Sequence, residues 1–187
     1  MGLLPTMLFA SAVLLDQTVA VVGHQVITLS EVRAEATIAA ILEKRTGPEE
    51  TDQALQTLVH RVLIGSYLDN LGLVQEVPPD RKTSLRNSLK PYLKEGDIPE
   101  KTLDRLLTSR IRSEIFVEAH LPFRVNVTDE EVRSYYETEK DRRFLRKPFE
   151  SVAPIVRADL RRERVKKELE KWLETEMHRT QVVFLNR

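Results

Sequence analysis

Apolar residues change their spacing along this chain, and each change marks an element. Thr18 to Val22 and Val26 to Leu29 are β-branched runs on either side of Gly23-His24-Gln25. Such runs around a glycine able to take positive φ predict a hairpin. The spacing then shifts to three and four residues. Thr28 and Glu31 stand at the interval of a capping box, so a helix is expected to start near Leu29. Its apolar positions are Val32, Ala36, Ala39, Ala40 and Leu42, with Gly47 as the expected stop. A second helix is expected after Pro48, where Thr46 and Glu49 repeat the box spacing. Leu55, Leu58, Val59, Val62, Leu63, Tyr67 and Leu68 give it a broad buried stripe before Gly72 closes it.

A third helix is expected over Pro79 to Leu93, interrupted or kinked by Pro91, with Leu85, Leu89, Tyr92 and Leu93 as its apolar residues. Asp97-Ile98-Pro99-Glu100 starts a fourth, with Leu103, Leu106, Leu107, Ile111, Ile115 and Phe116 on one face. Phe123 to Val127 reads as a short extended piece. It leads into Thr128-Asp129-Glu130-Glu131, a further capping box, and a helix carrying Val132, Tyr135 and Tyr136. The last long helix is expected over 149–177, with Val152, Ile155, Val156, Leu160, Val165, Leu169, Trp172 and Leu173 along its seam. A final strand over 181–186 contains Gln181-Val182-Val183-Phe184-Leu185. A lone strand needs a partner. The other strand candidates are those of the front hairpin, so the two chain ends are predicted to meet in one small sheet. The expected fold is mainly α: several helices closed by a sheet of N-terminal hairpin and C-terminal strand, as a single domain over 15–187.

Composition narrows this picture. Met1 to Leu15 carry no charged side chain and are strongly apolar, and Ala10-Ser11-Ala12 has the small-x-small form of a cleavage site. Residues 1–14 are therefore read as a signal peptide, too short to span a bilayer, with no stable membrane insertion after cleavage. The segment lacks a basic residue before its apolar run. A start site placed too late, or a buried strand or helix, remains open. About 170 residues follow it, enough for one sizeable core. Lys+Arg and Asp+Glu both number 29, so global charge gives no pull toward nucleic acid or anionic membrane. With no cysteine, disulfide scaffolds and thiol chemistry are excluded.

Three stretches carry a family resemblance. Asp16-Gln17-Thr18-Val19-Ala20-Val21-Val22 with Val26-Ile27-Thr28-Leu29-Ser30-Glu31-Val32 resembles the mature N-terminus of SurA-, PpiD- and PrsA-like periplasmic chaperones. Val127-Thr128-Asp129-Glu130-Glu131-Val132 with Tyr135-Tyr136 is similar to the element that stands before their parvulin domain. Pro148-Phe149-Glu150-Ser151-Val152 with Leu160, Arg164 and Trp172-Leu173 resembles the long helix that follows that domain. Between Tyr136 and Pro148 only eleven residues intervene, whereas a parvulin domain needs roughly 90 to bury its own core. The resemblance therefore implies a chaperone module without its prolyl isomerase, located in the periplasm.

No catalytic, cofactor or metal site is expected. A helix N-terminus favours acidic side chains through its dipole, which accounts for Asp129-Glu130-Glu131. His24, His60, His120 and His178 are scattered, and His60 keeps no metal-ligand spacing. The glycines never cluster into a phosphate loop, and Ser30 beside a helix start suits local hydrogen bonding. Lys140 to Lys171 hold twelve Lys/Arg against six Asp/Glu. Their alternation suits a solvated helix face rather than a nucleic-acid or acidic-lipid site, although it can steer an acidic partner.

The resemblance implies a holdase that binds unfolded secreted or outer-membrane chains in an apolar groove. Tyr92, Phe116, Phe123, Tyr135, Tyr136 and Phe144 are the candidate client-binding residues, although ordinary core packing is the better explanation for each by about two to one. Two alternatives stay open. One is an assembly or scaffold subunit with a fixed partner, or a domain-swapped homodimer. The other is an enzyme whose site the spacing does not reveal.

Overall fold

The β-branched runs at the front pair as their spacing predicts. The computed structural model describes residues 16–47, 50–73 and 76–185. In it strand β1 (Thr18–Val22) turns through Gly23 into β2 (Gln25–Thr28). Gly23 takes φ +57, the left-handed conformation that only glycine adopts without strain. Strand β3 (Val182–Phe184) pairs antiparallel with β1, giving the order β2-β1-β3. The front hairpin and the final strand do meet in one sheet, as expected. Ala20, Val22 and Ile27 are its buried residues. The leader and the box residue Glu49 lie outside the described residues.

Six α-helices fill the rest of the described chain: α1 (Leu29–Leu42), α2 (Thr51–Asn70), α3 (Pro79–Leu89), α4 (Glu100–His120), α5 (Asp129–Glu139) and α6 (Phe149–Arg179). The capping box of α1 forms, with the Thr28 N–H donating to Glu31 at 3.0 Å. The Ser30 hydroxyl lies 3.2 Å from that of Thr28 as a local contact. It also bonds across the hairpin to Asp16, fourteen residues earlier, which holds the Asp16 carboxyl below its ordinary pKa. Gly72, at φ +64, closes α2 as expected. Its N–H bonds to the Asp69 carbonyl while that of Leu73 bonds to Leu68, both at 3.0 Å.

Three expectations about element ends need correction. Helix α1 stops at Leu42 rather than running to Gly47, because Lys44 takes the left-handed position and Arg45 bonds back to the Ala40 carbonyl at 3.0 Å. Helix α3 stops at Leu89 rather than Leu93. Pro91 offers no N–H to continue the ladder, and although Lys90 keeps helical dihedrals, the Tyr92 and Leu93 N–H groups turn back to the Leu89 carbonyl at 2.9 and 3.2 Å. The piece expected to be extended from Phe123 begins instead as a 3-10 turn, Pro122–Arg124, and extends only afterwards.

Two apolar clusters result. The larger joins the sheet to α1, α2, α4 and the second half of α6. At its α6 end, Trp172 packs on Tyr67 and Phe116, with ring centroids 5.2 and 4.9 Å apart. The smaller joins α5 to the first half of α6 through Val132, Tyr136, Phe144, Val152 and Val156. Helix α6 has 31 residues, about 46 Å of helix, so one element serves both clusters. Ile155, expected on its seam, is exposed instead. Helices α5 and α6 lie directly against each other. The Tyr136 hydroxyl closes their junction by donating to the Lys147 carbonyl at 2.6 Å.

Candidate functional site

The six candidate binding residues divide by burial. Phe116 is only 2% exposed, and Tyr136 and Phe144 are also core. These three do not line a client surface, because each completes an aromatic contact that a helix junction requires. Tyr92 and Phe123 are 68% and 86% exposed. Tyr92 projects beyond the end of α3 and, with Thr37, Ala40, Ile41, Lys44 and Arg45, borders a shallow hollow at the end of α1. Tyr135 is partly exposed, with its hydroxyl bonded to Arg143 and, at 3.4 Å, to Glu163. The structure does not bring the six into one cradle.

A different apolar surface lies where the front hairpin and the final strand meet. Val183 and Phe184 on β3, Leu185 just after it, and Val26 on β2 are exposed. Val183 and Val26 share the face of Val21, whereas Phe184 lies opposite buried Ala20 and stands on the other face. Strand β3 is held by two bonds at its ends: the Gly23 N–H to the Gln181 carbonyl at 2.8 Å, and the Leu185 N–H to the Val19 carbonyl at 2.9 Å. The Thr180 N–H bonds back to the Glu176 carbonyl at 2.9 Å, closing α6 and releasing the chain toward β1. Phe184 stands between two hollows. The first, about 330 Å³, is lined by Val19, Leu29, Val32, Leu55 and Leu185, with Gln17, Thr51 and Asp52 around it. The second, about 400 Å³, contains Leu173, Met177 and Val182, rimmed by His60, Glu170, Glu174 and His178. Burial pushes the His60 pKa down, which favours the neutral ring at the second hollow. Sequence spacing had marked Val182 to Leu185 only as a strand in need of a partner. That its outer side remains apolar and open is a product of the tertiary fold.

Charged groups concentrate elsewhere. A hollow of about 170 Å³ between β2, α2 and α4 is bordered by Glu31, Arg61, Asp69, Arg105 and Arg112. Each carboxylate there has an arginine partner: Glu31 with Arg105, and Asp69 with Arg112 at 2.6 Å. Beneath it, fully buried Glu35 accepts from Arg61 at 2.6 Å and from Arg110 at 2.7 Å. Burial pulls the Arg61 guanidinium below its ordinary pKa, and Glu35 opposes that pull. This network ties α1 to α2 and α4. Sequence reasoning missed it, although a carboxylate at Glu35, three residues after Val32 on the apolar stripe, was a visible signal.

The basic stretch of α6 is more than a solvated face. Arg157 donates to the Val127 carbonyl at 2.7 Å, Arg161 to that of Pro122 at 3.1 Å, and Arg164 to Asn126 and Glu131. These arginines, spaced by four and three residues, strap the segment before α5 onto α6. Among the described residues, no group of three or more His, Asp or Glu side chains is arranged to hold a metal ion. No described helix is long and apolar enough to cross a membrane. No family model and no curated protein matches the chain.

Proposed function

We propose that this chain is a non-catalytic, SurA-like chaperone module that holds unfolded secreted or outer-membrane polypeptides in the periplasm. The observation that carries the reading is exposed Phe184 and Leu185 beside a hollow lined by Val19, Leu29, Val32 and Leu55. An exposed apolar patch next to apolar hollows gains burial from many different extended segments without demanding one shape. Ordering a disordered client costs entropy, so each contact is modest in affinity and release is fast. The resemblance of the front hairpin, the α5 start and the α6 start to periplasmic foldases supports the same reading. So does the short connection from Glu139 to Phe149, far below the roughly 90 residues a parvulin domain needs.

The test is suppression of aggregation when a denatured outer-membrane porin and two unrelated denatured proteins are diluted with the full chain. Suppression of all three is expected near equimolar protein, and failure with every substrate rejects the reading. A proline-peptide isomerisation assay should show no rate above background. One feature favours a second reading. The residues of β3 carry neither charge nor proline, the devices that usually keep edge strands from pairing with a second copy. A stable dimer with no holding activity in the aggregation assay would support the homodimer or scaffold alternative instead.

A further inference from the structure

We infer that the open edge of β3 is a backbone docking site, which takes an extended client segment as a fourth strand with alternate apolar side chains in the hollows flanking Phe184. The inference rests on the client-holding reading above and specifies its mode. In the antiparallel β1–β3 pair, Gln181 and Leu185 bond to β1, and Val183 lies opposite Val21 between them. Val182 and Phe184 alternate with these residues, so their N–H and C=O groups point away from β1. Among the described residues no strand lies beyond β3. Only another extended backbone supplies donors and acceptors at the matching repeat.

The hollows fit the same occupant. Val182 lines the second hollow and Phe184 lines both. The two stand two residues apart on one face of β3, and same-face side chains of a strand recur at about 6.6–6.8 Å. A segment paired to β3 can therefore set residues i and i+2 beside them, one toward each hollow, with Phe184 as the wall between. Glu170 and Glu174 rim the second hollow, so lysine or arginine beside the apolar residues fits better than an acidic side chain. The preferred client is an alternately apolar, weakly basic extended segment.

The probe is a short fluorescein-labelled peptide in which valine alternates with threonine between lysine ends, titrated with the full chain and followed by anisotropy. Its control carries the same side chains but is N-methylated along one edge, which removes the donors that would meet β3. Saturable binding of the probe and a loss of about tenfold or more for the control are expected. Phe184→Pro removes only an outward-facing N–H and one hollow wall, so it should weaken the probe similarly while the melting temperature stays close to that of the parent. Equal binding of the methylated control overturns the proposal even if the variant misfolds. So does a chain that dimerises through β3 in sedimentation and leaves the probe unbound. If the parent suppresses aggregation but Phe184→Pro suppresses equally and the probe does not bind, the edge site falls and the holding function stands. If the parent suppresses nothing, the functional reading itself falls.

Discussion

Glu131 shows how one side chain fixes both a helix start and a helix pair. Its carboxylate accepts from the Thr128 N–H at 2.8 Å and pairs with Arg164 on α6. Arg164 first, and the Thr128 N–H after it, hold the Glu131 pKa down at about 2, against an ordinary 4.5. An acid depressed on folding stabilises the native state above its unfolded pKa, and that contribution is lost as pH falls from 4.5 through about 2. Asp16 and Asp104 shift in the same direction, Asp16 through Ser30 and Asp104 through Lys82. Urea midpoints are therefore expected to decline gently below about pH 7, as the unfolded chain protonates His60 more readily than the native one, and more steeply below about pH 5.5 as the carboxylates titrate. Glu131→Gln should lower the neutral plateau and flatten the acid limb. Parallel curves for the two proteins would show that the pair contributes nothing.

Between elements, the carboxylate of Glu35 acts as a bolt from α1 to α2 and α4. Removing it strands two guanidiniums, of which Arg61 is almost fully buried. Breaking a buried pair from one side costs about 3–5 kcal/mol, whereas replacing both partners by apolar groups of similar volume is often close to neutral. Glu35→Ala should therefore destabilise the chain by about that amount, and Glu35→Leu with Arg61→Met should recover only part of the loss, because Arg110 still lacks its carboxylate partner. A double-mutant cycle in urea measures it. Equal losses for the single and double variants would mean that the pair does not couple the helices. The spacing of Val32, Glu35 and Ile38 placed this carboxylate on the buried face, yet its partners lie on other helices, and no local period encodes them. The straps from Arg157, Arg161 and Arg164 were hidden for the same reason, since their acceptors are backbone carbonyls that carry no sequence signature.

For the whole molecule, the sheet joining the front hairpin to the final strand governs stability and the proposed docking edge alike. Deleting residues 181–187 would remove the β3 partner of β1 and the packing of Val182 on the core. Two or three backbone bonds and one partly buried valine amount to about 3 kcal/mol, or roughly 10 °C in melting temperature for a chain of this size. An unchanged melting point after truncation would deny the sheet that role. The same deletion should abolish probe binding, because the edge leaves with the strand.

Local physics made much of this fold legible in the chain alone. Capping boxes at Thr28 and Thr128, the glycine at 72, the proline at 99 and the switch from two- to three-and-four-residue spacing act within a turn or two, so they located the elements. The unpaired final strand even named its partner by elimination. Which aromatics became core was decided only by tertiary packing. Phe116, Tyr136 and Phe144 were drawn into helix junctions, while Tyr92 and Phe123 were left outside by helix ends that proline dictated. The outward edge of β3, and the two hollows beside Phe184, exist because α2, α6 and β1 converge there from distant parts of the chain. A surface assembled from three separate elements has no period, and so no sequence pattern announces it.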